Sequence, residues 1–421
     1  MSTITPIPYE NVEIDSNSLE TTAARLVCSI KPRWALKKLA FKKLTNDYHL
    51  IYYLIFLKDT NDEQNSVILK LYPTNSDVYD DHEEQFHLLS HLIQQKVAAH
   101  VLLRFNNGFI CSPIPGKALD VKEQPIGYVL QTFNRFAIIV FTSSELVARK
   151  LAEFHSIPSR FHGTRLADKL KQYIDLFTDK NKTLHDRLVA IQNEREKSTN
   201  NTKNLFTSLK SVIGFHATPA YPLTFAQLQT QLKDISWTEL SNDIDCIQST
   251  LEKNGSLFDI PIVLCLNNVR LGNFRYDSTN HSLAIIDFDH CLHDYYLFDI
   301  VSFFLELSTD DYEKKYPERS IQKQFLADYL KNSTLNMSNS VYDHRKVAEY
   351  ELEHLCDLCG LLIAPVHLYW ALWAFLQALL TKPTNTFDYV NYGRIRLAQY
   401  YRHKNNFFLP TNQSRKPRPK F

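Results

Sequence analysis

Glycine is scarce in this sequence. The chain of 421 residues contains nine glycines, and none precedes Gly108. Average usage is about 7%, so positions that need a glycine backbone are few. Phosphate-binding loops of the G-x-x-x-x-G-K-[ST] and G-x-G-x-x-G types place glycines where backbone amides approach the phosphates, and neither motif occurs in the chain. The sequence therefore excludes a standard glycine-rich phosphate loop.

An excess of one charge is also missing. Lys and Arg number 47 against 46 Asp and Glu, which gives a net charge of +1 and a pI near 7.7. This balance does not favour nucleic acid or an anionic membrane as a partner. The basic ending at 415–420 is the local exception. We interpret it as part of a solvated tail, with a membrane or partner contact as the alternative.

The seven cysteines form no pattern typical of a disulfide framework. They are odd in number and scattered, and no signal peptide precedes them, so a reduced cytoplasmic compartment is expected. Cys356-x-x-Cys359 lies near His354 and His367, which raises a zinc site as an alternative. No second C-x-x-C pair completes such a site, and the segment is helical in pattern. Buried structural thiols are the favoured interpretation.

One hydrophobic run is long enough to cross a bilayer. Residues 360–380 are mostly apolar, but Pro365, His367 and Gln377 lie among them and no basic cluster flanks the run closely. This pattern favours a buried helix of a soluble protein over a membrane span.

The order of patterns along the chain predicts two lobes. Residues 48–57 and 67–72 are β-prone runs joined by a polar turn, and Asn106-Asn107-Gly108 is a hairpin signal between two further strands. After about residue 120 the periodicity is mainly helical. We predict the following organisation: a polar, loosely ordered segment at 1–30, a β-rich ATP-binding lobe at 31–119, a helical lobe at 120–408 with a loop insertion at 190–225, and a basic tail at 409–421.

Two short segments carry residues suited to phosphoryl transfer. Residues 263–273 and 285–290 each begin with a β-like run and end in polar residues. Asn273 offers an amide oxygen and Asp287 a carboxylate, which are hard ligands of the kind Mg²⁺ prefers. Kinases hold Mg²⁺ on the ATP phosphates with such groups. Either residue alone is usually an ordinary surface side chain, but their spacing favours a metal site.

These segments resemble the choline/ethanolamine kinase family. The family's C-H-N-D-x-x-x-x-N motif reads here as Cys265-Leu-Asn-Asn-Val-Arg-Leu-Gly-Asn273, and its I-D-[FY]-E-Y motif reads as Ile286-Asp-Phe-Asp-His290. Further similar segments follow in the family's order at 106–119, 151–157, 298–300, 316–325, 370–378 and 387–396. The resemblance implies an α+β, bilobal, protein-kinase-like fold of the aminoglycoside phosphotransferase/choline kinase type.

The resemblance also implies roles for individual residues. Asn273 and Asp287 would hold Mg²⁺ and ATP, Lys70 would meet the phosphates, and Glu83 (or Glu84) would pair with Lys70. The cationic head group would lie in a pocket of acidic and aromatic side chains: Asp289, Glu306, Tyr312, Trp370, Trp373, Tyr389 and Tyr392. An ammonium over such rings gains ~0.5–2 kcal/mol per contact. Without the resemblance, the two tryptophans at i and i+3 would be interpreted as core packing.

The sequence departs from the family's pattern at the catalytic loop. Asn268 stands where the family has its catalytic Asp, and Leu266 stands where it has the preceding His. The family's glycine-containing loop aligns near 44–48, which has no glycine, and its N-H-F reads as Ser302-Phe-Phe. Loss of a general base typically costs ~10²–10⁴-fold in rate. Asp289 or Asp294 is a candidate substitute base.

The resemblance implies ATP-dependent phosphorylation of ethanolamine or choline, the entry step of phosphatidylethanolamine and phosphatidylcholine synthesis. Ethanolamine is the weakly favoured acceptor, and a homodimer is an expectation carried over from the relatives. The replaced catalytic residues favour a weakened enzyme or a pseudokinase that binds head group or nucleotide, or regulates an active paralogue. A related small-molecule kinase of the aminoglycoside type is a third alternative, against which the paired tryptophans argue.

Overall fold

The computed structural model describes most of the chain. The described residues are 7–15, 17–35, 37–44, 51–58, 65–73, 75–119, 135–158, 164–178, 182, 186, 188–191, 193, 223–253, 260–308, 316–334, 347–381 and 387–408. Most of the predicted insertion at 190–225, the whole predicted tail at 409–421, and most of the segment aligned with the family's glycine-containing loop lie outside these residues.

The first lobe is built on a six-stranded sheet in the order β1-β5-β6-β4-β3-β2. Its strands are β1 (Tyr9–Glu10), β2 (Leu39–Lys43), β3 (Ile51–Leu57), β4 (Ser66–Leu71), β5 (Val101–Phe105) and β6 (Gly108–Cys111). Strands β3 and β4 pair antiparallel, as do β5 and β6, which confirms both predicted strand pairs. Helix α2 (His82–Gln94) follows β4 and begins at Asp81, whose carboxylate accepts hydrogen bonds from the amides of Glu83 and Glu84.

The prediction of a loosely ordered segment at 1–30 is wrong for its described part. Strand β1 pairs parallel with β5, and helix α1 spans Leu19–Ile30. Ala23, Leu26 and Val27 of α1 are buried in the apolar core of this lobe. Their i, i+3, i+4 spacing gives the helix one apolar face, which the polar composition of the surrounding residues concealed.

The second lobe is mainly helical, as predicted. Its helices are α3 (Arg135–His155), α4 (Leu166–Phe177), α5 (Phe225–Gln231), α6 (Trp237–Lys253), α7 (Leu297–Leu307), α8 (Arg319–Asn332), α9 (Glu349–Leu380) and α10 (Tyr389–Phe408). Two small sheets carry the polar loops, and their buried apolar residues are part of the core of the helical lobe. Strands β7 (Lys117–Ala118), β9 (Phe274–Asp277) and β10 (Ser282–Ile285) form one sheet, and β8 (Ile262–Cys265) with β11 (Leu292–Tyr295) forms the other.

Helix α9 contains the long hydrophobic run. Of the described helices it alone is long and apolar enough to cross a membrane, but 89% of its most apolar window is buried inside the protein. It packs against α4, α7, α8 and α10. A helical segment that is apolar on every face and largely covered by other helices is typical of a protein core. The predicted helix interpretation therefore agrees with the packing.

Candidate active site

Lys70 of β4 is buried where the two lobes meet. Its ammonium contacts the carboxylate of Asp289 directly and lies 4.0 Å from Oδ1 of Asp287. The ring centroids of Tyr52 and Phe109 are 5.3 and 5.6 Å from Nζ. Burial alone would lower the pKa of Lys70, but the neighbouring carboxylates outweigh it and raise the pKa well above its usual value. The lysine is therefore a fixed positive charge.

Gly108 has a packing role beside this lysine. Strand β6 pairs with β4 so that Gly108 lies opposite Leu71, and a Cβ at Gly108 would overlap the carbonyl oxygen of Lys70. Any larger residue would push the two strands apart at the lysine. Glycine at this position thus allows the close approach that fixes the backbone of Lys70.

Glu83 does not pair with Lys70 as predicted: Glu83 pairs with Arg104, and Lys70 pairs with Asp289. Both carboxylate oxygens of Glu83 accept hydrogen bonds from Arg104 of β5, one of them at 3.0 Å. This bond lowers the pKa of Glu83. Glu83 lies in the first turn of α2 with a side chain that is 66% exposed, whereas Lys70 is buried. Asp289 contacts Lys70 because it lies on the loop that enters the cleft.

A β-hairpin brings Asn273 and Asp287 together. Asn273 directly precedes β9, Asp287 follows β10 by one residue, and the two strands pair antiparallel with Phe274 opposite Ile285. The amide of Ile286 donates a hydrogen bond of 2.8 Å to the carbonyl of Asn273. The two predicted metal ligands are therefore neighbours at the open end of one hairpin, although 14 positions separate them in the sequence.

The donor set of this hairpin fits Mg²⁺. Nδ2 of Asn273 donates to the carbonyl of Asn268 at 3.0 Å, and Oδ1 of Asn273 has no hydrogen-bond partner among the described residues. The Asp287 side chain is only 5% exposed and lies in the left-handed region at φ +68°. Such a backbone conformation is costly for a non-glycine residue and is found preferentially at functional sites. An amide oxygen and a carboxylate beside a lysine form a suitable site for Mg²⁺ bound to phosphates.

The loop that carries Asn268 is anchored by a buried carboxylate. Asp299 of α7 accepts hydrogen bonds of 2.7 Å from the amides of Leu266 and Asn267, and His155 bonds its Oδ2 at 2.9 Å. The other nitrogen of His155 bonds the hydroxyl of Tyr329 at 2.9 Å. Asn267 adopts φ +55°, so the anchored loop turns sharply. These contacts hold the loop in one conformation.

Asp299 and His155 lie in segments that resemble the family's motifs, and no role was predicted for either residue. His155, Cys265 and Asp299 are also grouped closely enough to be metal ligands. Both oxygens of Asp299 already accept hydrogen bonds from backbone amides, so a structural network is the better interpretation. The signal available in the sequence was a charged residue within an apolar helix, which has to be paired when buried.

Asn268 is buried at the base of the cleft. Its side-chain carbonyl oxygen accepts no hydrogen bond from any described residue. An unpaired buried oxygen costs ~1–3 kcal/mol, and among the described residues this oxygen remains available to accept a hydrogen bond. It can accept a hydrogen bond from a hydroxyl but cannot take up a proton. Leu266 is buried beside it in the core.

The two candidate substitute bases are already engaged. Asp294 is fully buried, bonds Arg165 at 2.9 Å and accepts a hydrogen bond from the amide of Leu166 at 3.1 Å. Burial raises its pKa despite the arginine. Asp289 is held by Lys70. Neither carboxylate is placed as a free proton acceptor.

A cluster of aromatic side chains, the aromatic wall, lies next to the loop at 286–290 that follows β10. Trp370 and Trp373 of α9 cross at 80° with ring centroids 5.3 Å apart, and Trp373 is 6.0 Å from Tyr389 of α10. Phe387 lies between Tyr389 and Tyr392, at 4.9 and 5.6 Å. Trp373 and Tyr389 are buried, whereas Trp370 and Tyr392 are partly accessible. Trp370 and Tyr392 are accessible to a ligand. Trp373 and Tyr389 pack in the core, which agrees with the alternative interpretation of the tryptophans as core residues.

Glu306 and Tyr392 were also predicted to line the pocket, and each is paired with an arginine. Glu306 at the end of α7 is 3.8 Å from Arg270, which follows Asn268 by two positions. Tyr392 accepts a hydrogen bond of 3.0 Å from Arg396. Tyr312 lies outside the described residues.

His290 was missed as a site residue. Its ring lies 5.2 Å from Trp370 and 6.1 Å from Trp373, and Nδ1 bonds the hydroxyl of Tyr369 at 2.9 Å. It thus joins the loop at 286–290 to the aromatic wall. Its position three residues after Asp287, in the segment that resembles the family's motif, was the available signal.

The Cys356-x-x-Cys359 pair is buried in α9, as expected for structural thiols. Burial raises the pKa of Cys356 to about 11, so the thiol stays protonated at neutral pH. Burial raises the pKa of Cys359 as well.

Comparisons with known proteins identify the family of the chain. The family described as choline/ethanolamine kinase matches residues 44–401. Ethanolamine kinase 2 of Homo sapiens is 21% identical over 401 residues, covering 94% of this chain and 84% of its own. Ethanolamine kinase 1 of Mus musculus is 23% identical over 397 residues, covering 91% and 88%.

Solved structures share the fold. The Plasmodium vivax ethanolamine kinase has a TM-score of 0.64 at 18% identity and covers 94% of this chain and 92% of its own. The choline kinase of Cryptosporidium parvum has a TM-score of 0.58 at 15% identity, with coverage of 91% and 95%. Together with the family match over most of the sequence, these findings establish that the chain belongs to the choline/ethanolamine kinase family.

Proposed function

We propose that this protein transfers the γ-phosphoryl group of ATP to the hydroxyl of ethanolamine, with choline as the second acceptor. The observation that carries the proposal is the placement of Asn273 and Asp287 at one hairpin end, beside Lys70 and one short loop away from the paired tryptophans. Side chains suited to bind a metal ion, phosphates and an ammonium group thus lie in one cleft. Membership of the family supports a role in phospholipid head-group synthesis.

Each part of the cleft has a task in this proposal. Asn273 and Asp287 hold Mg²⁺, which neutralises charge on the phosphates when bound. Lys70 adds a fixed positive charge for the phosphates, and Asp289 keeps it oriented. The partly accessible faces of Trp370 and Tyr392 receive the ammonium group. Most of the catalysis by such a site is positioning and charge neutralisation.

The test is a phosphorylation assay with ATP, Mg²⁺ and either amino alcohol, accompanied by calorimetric binding of each ligand. We expect ethanolamine binding that weakens on Trp370→Ala, and Mg²⁺-dependent product formation. Tyr350→Ala, which removes an aromatic ring that is 73% exposed on the same helix, is the matched control. Absence of binding of both amino alcohols would refute the proposal.

A second candidate function follows from Asn268. Its amide replaces the family's proton acceptor and its oxygen accepts no hydrogen bond from the described residues, which favours a pseudokinase that binds ligands without turnover. Such a protein would bind ethanolamine and ATP normally, form no product, and gain activity on Asn268→Asp. Cytoplasmic location and dimerisation belong to the proposal as expectations from the relatives.

A further inference from the structure

In the proposed reaction a proton must leave the acceptor hydroxyl, and none of the three residues considered so far is suited to accept it. Asn268 supplies only an amide, Asp294 is sealed by Arg165, and Asp289 is held by Lys70. A base for this step has to be within reach of a hydroxyl whose ammonium end lies on the tryptophans. His290 is the described side chain that meets this requirement.

His290 lies between the catalytic loop and the aromatic wall. Nδ2 of Asn267 donates a hydrogen bond of 3.2 Å to the carbonyl of His290, which ties its backbone to the residue preceding Asn268. Its imidazole lies 5.2 Å from Trp370. An amino alcohol has its hydroxyl two carbons from its nitrogen, so an ammonium on the indole face leaves the hydroxyl near the imidazole.

Hydrogen bonding leaves one nitrogen of this imidazole available. Nδ1 bonds the hydroxyl of Tyr369 at 2.9 Å, and Nε2 has no hydrogen-bond partner among the described residues. The side chain is only partly buried. If Nδ1 carries the proton and donates it to Tyr369, Nε2 carries a lone pair that can accept a proton.

The surroundings keep this imidazole neutral. Burial lowers the pKa of His290; the carboxylates of Asp80 and Asp289 act in the opposite direction, and the ammonium groups of Lys169 and Lys70 reinforce the lowering. These four charged groups come from the β4–α2 connection, the histidine's own loop, α4 and β4. A neutral imidazole at pH 7 is the form that can accept a proton.

We propose that His290 is the general base of this protein and substitutes for the acidic residue that Asn268 replaces. The inference rests on the proposed kinase function. The acceptor oxygen forms a bond to the γ-phosphorus of ATP, the bond between that phosphorus and the β,γ-bridging oxygen breaks, and ADP leaves with the electron pair. The hydroxyl proton passes to Nε2 of His290, while the Asn268 carbonyl accepts a hydrogen bond that orients the hydroxyl.

The decisive variant is His290→Gln, which keeps a polar side chain and removes the base. We expect kcat to fall by about 10²-fold or more, the range for loss of a general base, while ethanolamine binding measured by calorimetry changes by less than about threefold. His87→Gln, at an exposed position on α2, is the matched control and should retain wild-type kcat.

Restoring an acid separates the catalytic role from a structural one. In an Asn268→Asp background a second base is present, so His290→Gln should cost less than about tenfold in kcat, a non-additivity expected for two groups that share one task. The wild-type kcat should also show an acidic limb below about pH 6.5, which is absent in His290→Gln. Nitrogen NMR of the free protein should show the proton on Nδ1.

The possible outcomes separate failure of the proposed role of His290 from failure of the proposed kinase function. A His290→Gln variant with wild-type kcat, equal costs in both backgrounds, or a proton on Nε2 would overturn the role of His290 and leave the kinase function standing. A wild type that binds ethanolamine but never turns over would also overturn it and favour the pseudokinase. A wild type that binds neither amino alcohol would refute the proposed function itself.

Discussion

Lys70 is the most constrained charged residue of the cleft. Its side chain is 4% exposed and its ammonium faces two carboxylates, of Asp289 and Asp287. The pKa of Lys70 is raised above that of the unfolded chain. The stability it contributes is therefore fully present below the unfolded pKa and is lost as the pH rises through the higher folded pKa. Across the neutral range this contribution does not vary.

Replacing this lysine leaves buried carboxylates without their cation. We expect Lys70→Met to lower the free energy of unfolding by about 3 kcal/mol, by the same amount at about pH 7 and pH 9 because the lysine is charged at both. Urea denaturation at the two pH values measures this. Lys150→Met, which removes an accessible ion pair with Glu153 on α3, should cost less than about 1 kcal/mol. Equal losses in the two variants would show that Lys70 is not paired as described.

A site residue could be predicted from the sequence when the pattern that identifies it lies within its own segment. Asn273 and Asp287 each follow a β-like run, and a hairpin brings such positions together. Asp299 was assigned no role because its partners, Leu266, Asn267 and His155, come from two other segments. Glu83 was placed by resemblance alone, and Arg104, from a strand not considered as its partner, holds it instead. Pairings between distant segments are not visible in spacing.

Among the secondary-structure elements, the hairpins of the first lobe were predictable from the sequence, whereas helix α1, which packs against their sheet, was not. The hairpins β3–β4 and β5–β6 have strong β-prone runs and polar turns. Helix α1 has only a few apolar residues in a polar segment, and their burial depends on the sheet beneath. Strands β9 and β11 are four residues each. They lack the short apolar runs by which β8 and β10 could be recognised in the sequence. Tertiary pairing, not local propensity, defines such strands.

The β4–β6 pairing gives a test of how the sheet positions Lys70. A methyl group in Gly108→Ala would overlap the Lys70 carbonyl, so we expect the variant to lose about 2 kcal/mol or more of stability and to bind ATP more weakly. Gly360→Ala, at a helical position where an added Cβ meets nothing within 4 Å, is the control and should be neutral or stabilising. Thermal unfolding and nucleotide titration measure the two effects. A Gly108→Ala protein as stable as the control would contradict the described close approach.

The contact of α7 with the catalytic loop gives a second test at this scale. Asp299→Asn keeps one acceptor but turns an NH₂ group toward backbone amides and His155, so we expect about 2–3 kcal/mol of lost stability together with a lower kcat. Hydrogen exchange should locate the loosening at residues 266–268. Asp245→Asn, in an exposed pair with Lys171, should leave both stability and exchange unchanged. Unaltered exchange at the loop in Asp299→Asn would mean that α7 does not anchor it.

At the scale of the whole molecule, the cleft depends on contacts that join the lobes. The β4–α2 connection reaches the helical lobe, where Lys169 of α4 bonds Asp80 at 2.9 Å and Gln377 of α9 bonds the hydroxyl of Tyr79 at 3.0 Å. Tyr79 itself packs in the core of the helical lobe. These contacts lie beside Lys70 and His290, so the metal site and the aromatic wall are held in one arrangement. The two-lobed plan was predictable because the long β-like runs precede residue 120 and helical patterns dominate after it.

The proposed function requires Asn273 and Asp287 to hold Mg²⁺ for ATP in this cleft. Calorimetric titration of ATP with and without Mg²⁺, on the wild type and on Asp287→Ala, tests it most directly. We expect Mg²⁺ to strengthen ATP binding to the wild type by at least about tenfold, which is 1.4 kcal/mol, and we expect Asp287→Ala to abolish this gain. Equal effects of Mg²⁺ on both proteins, or none on the wild type, would contradict it.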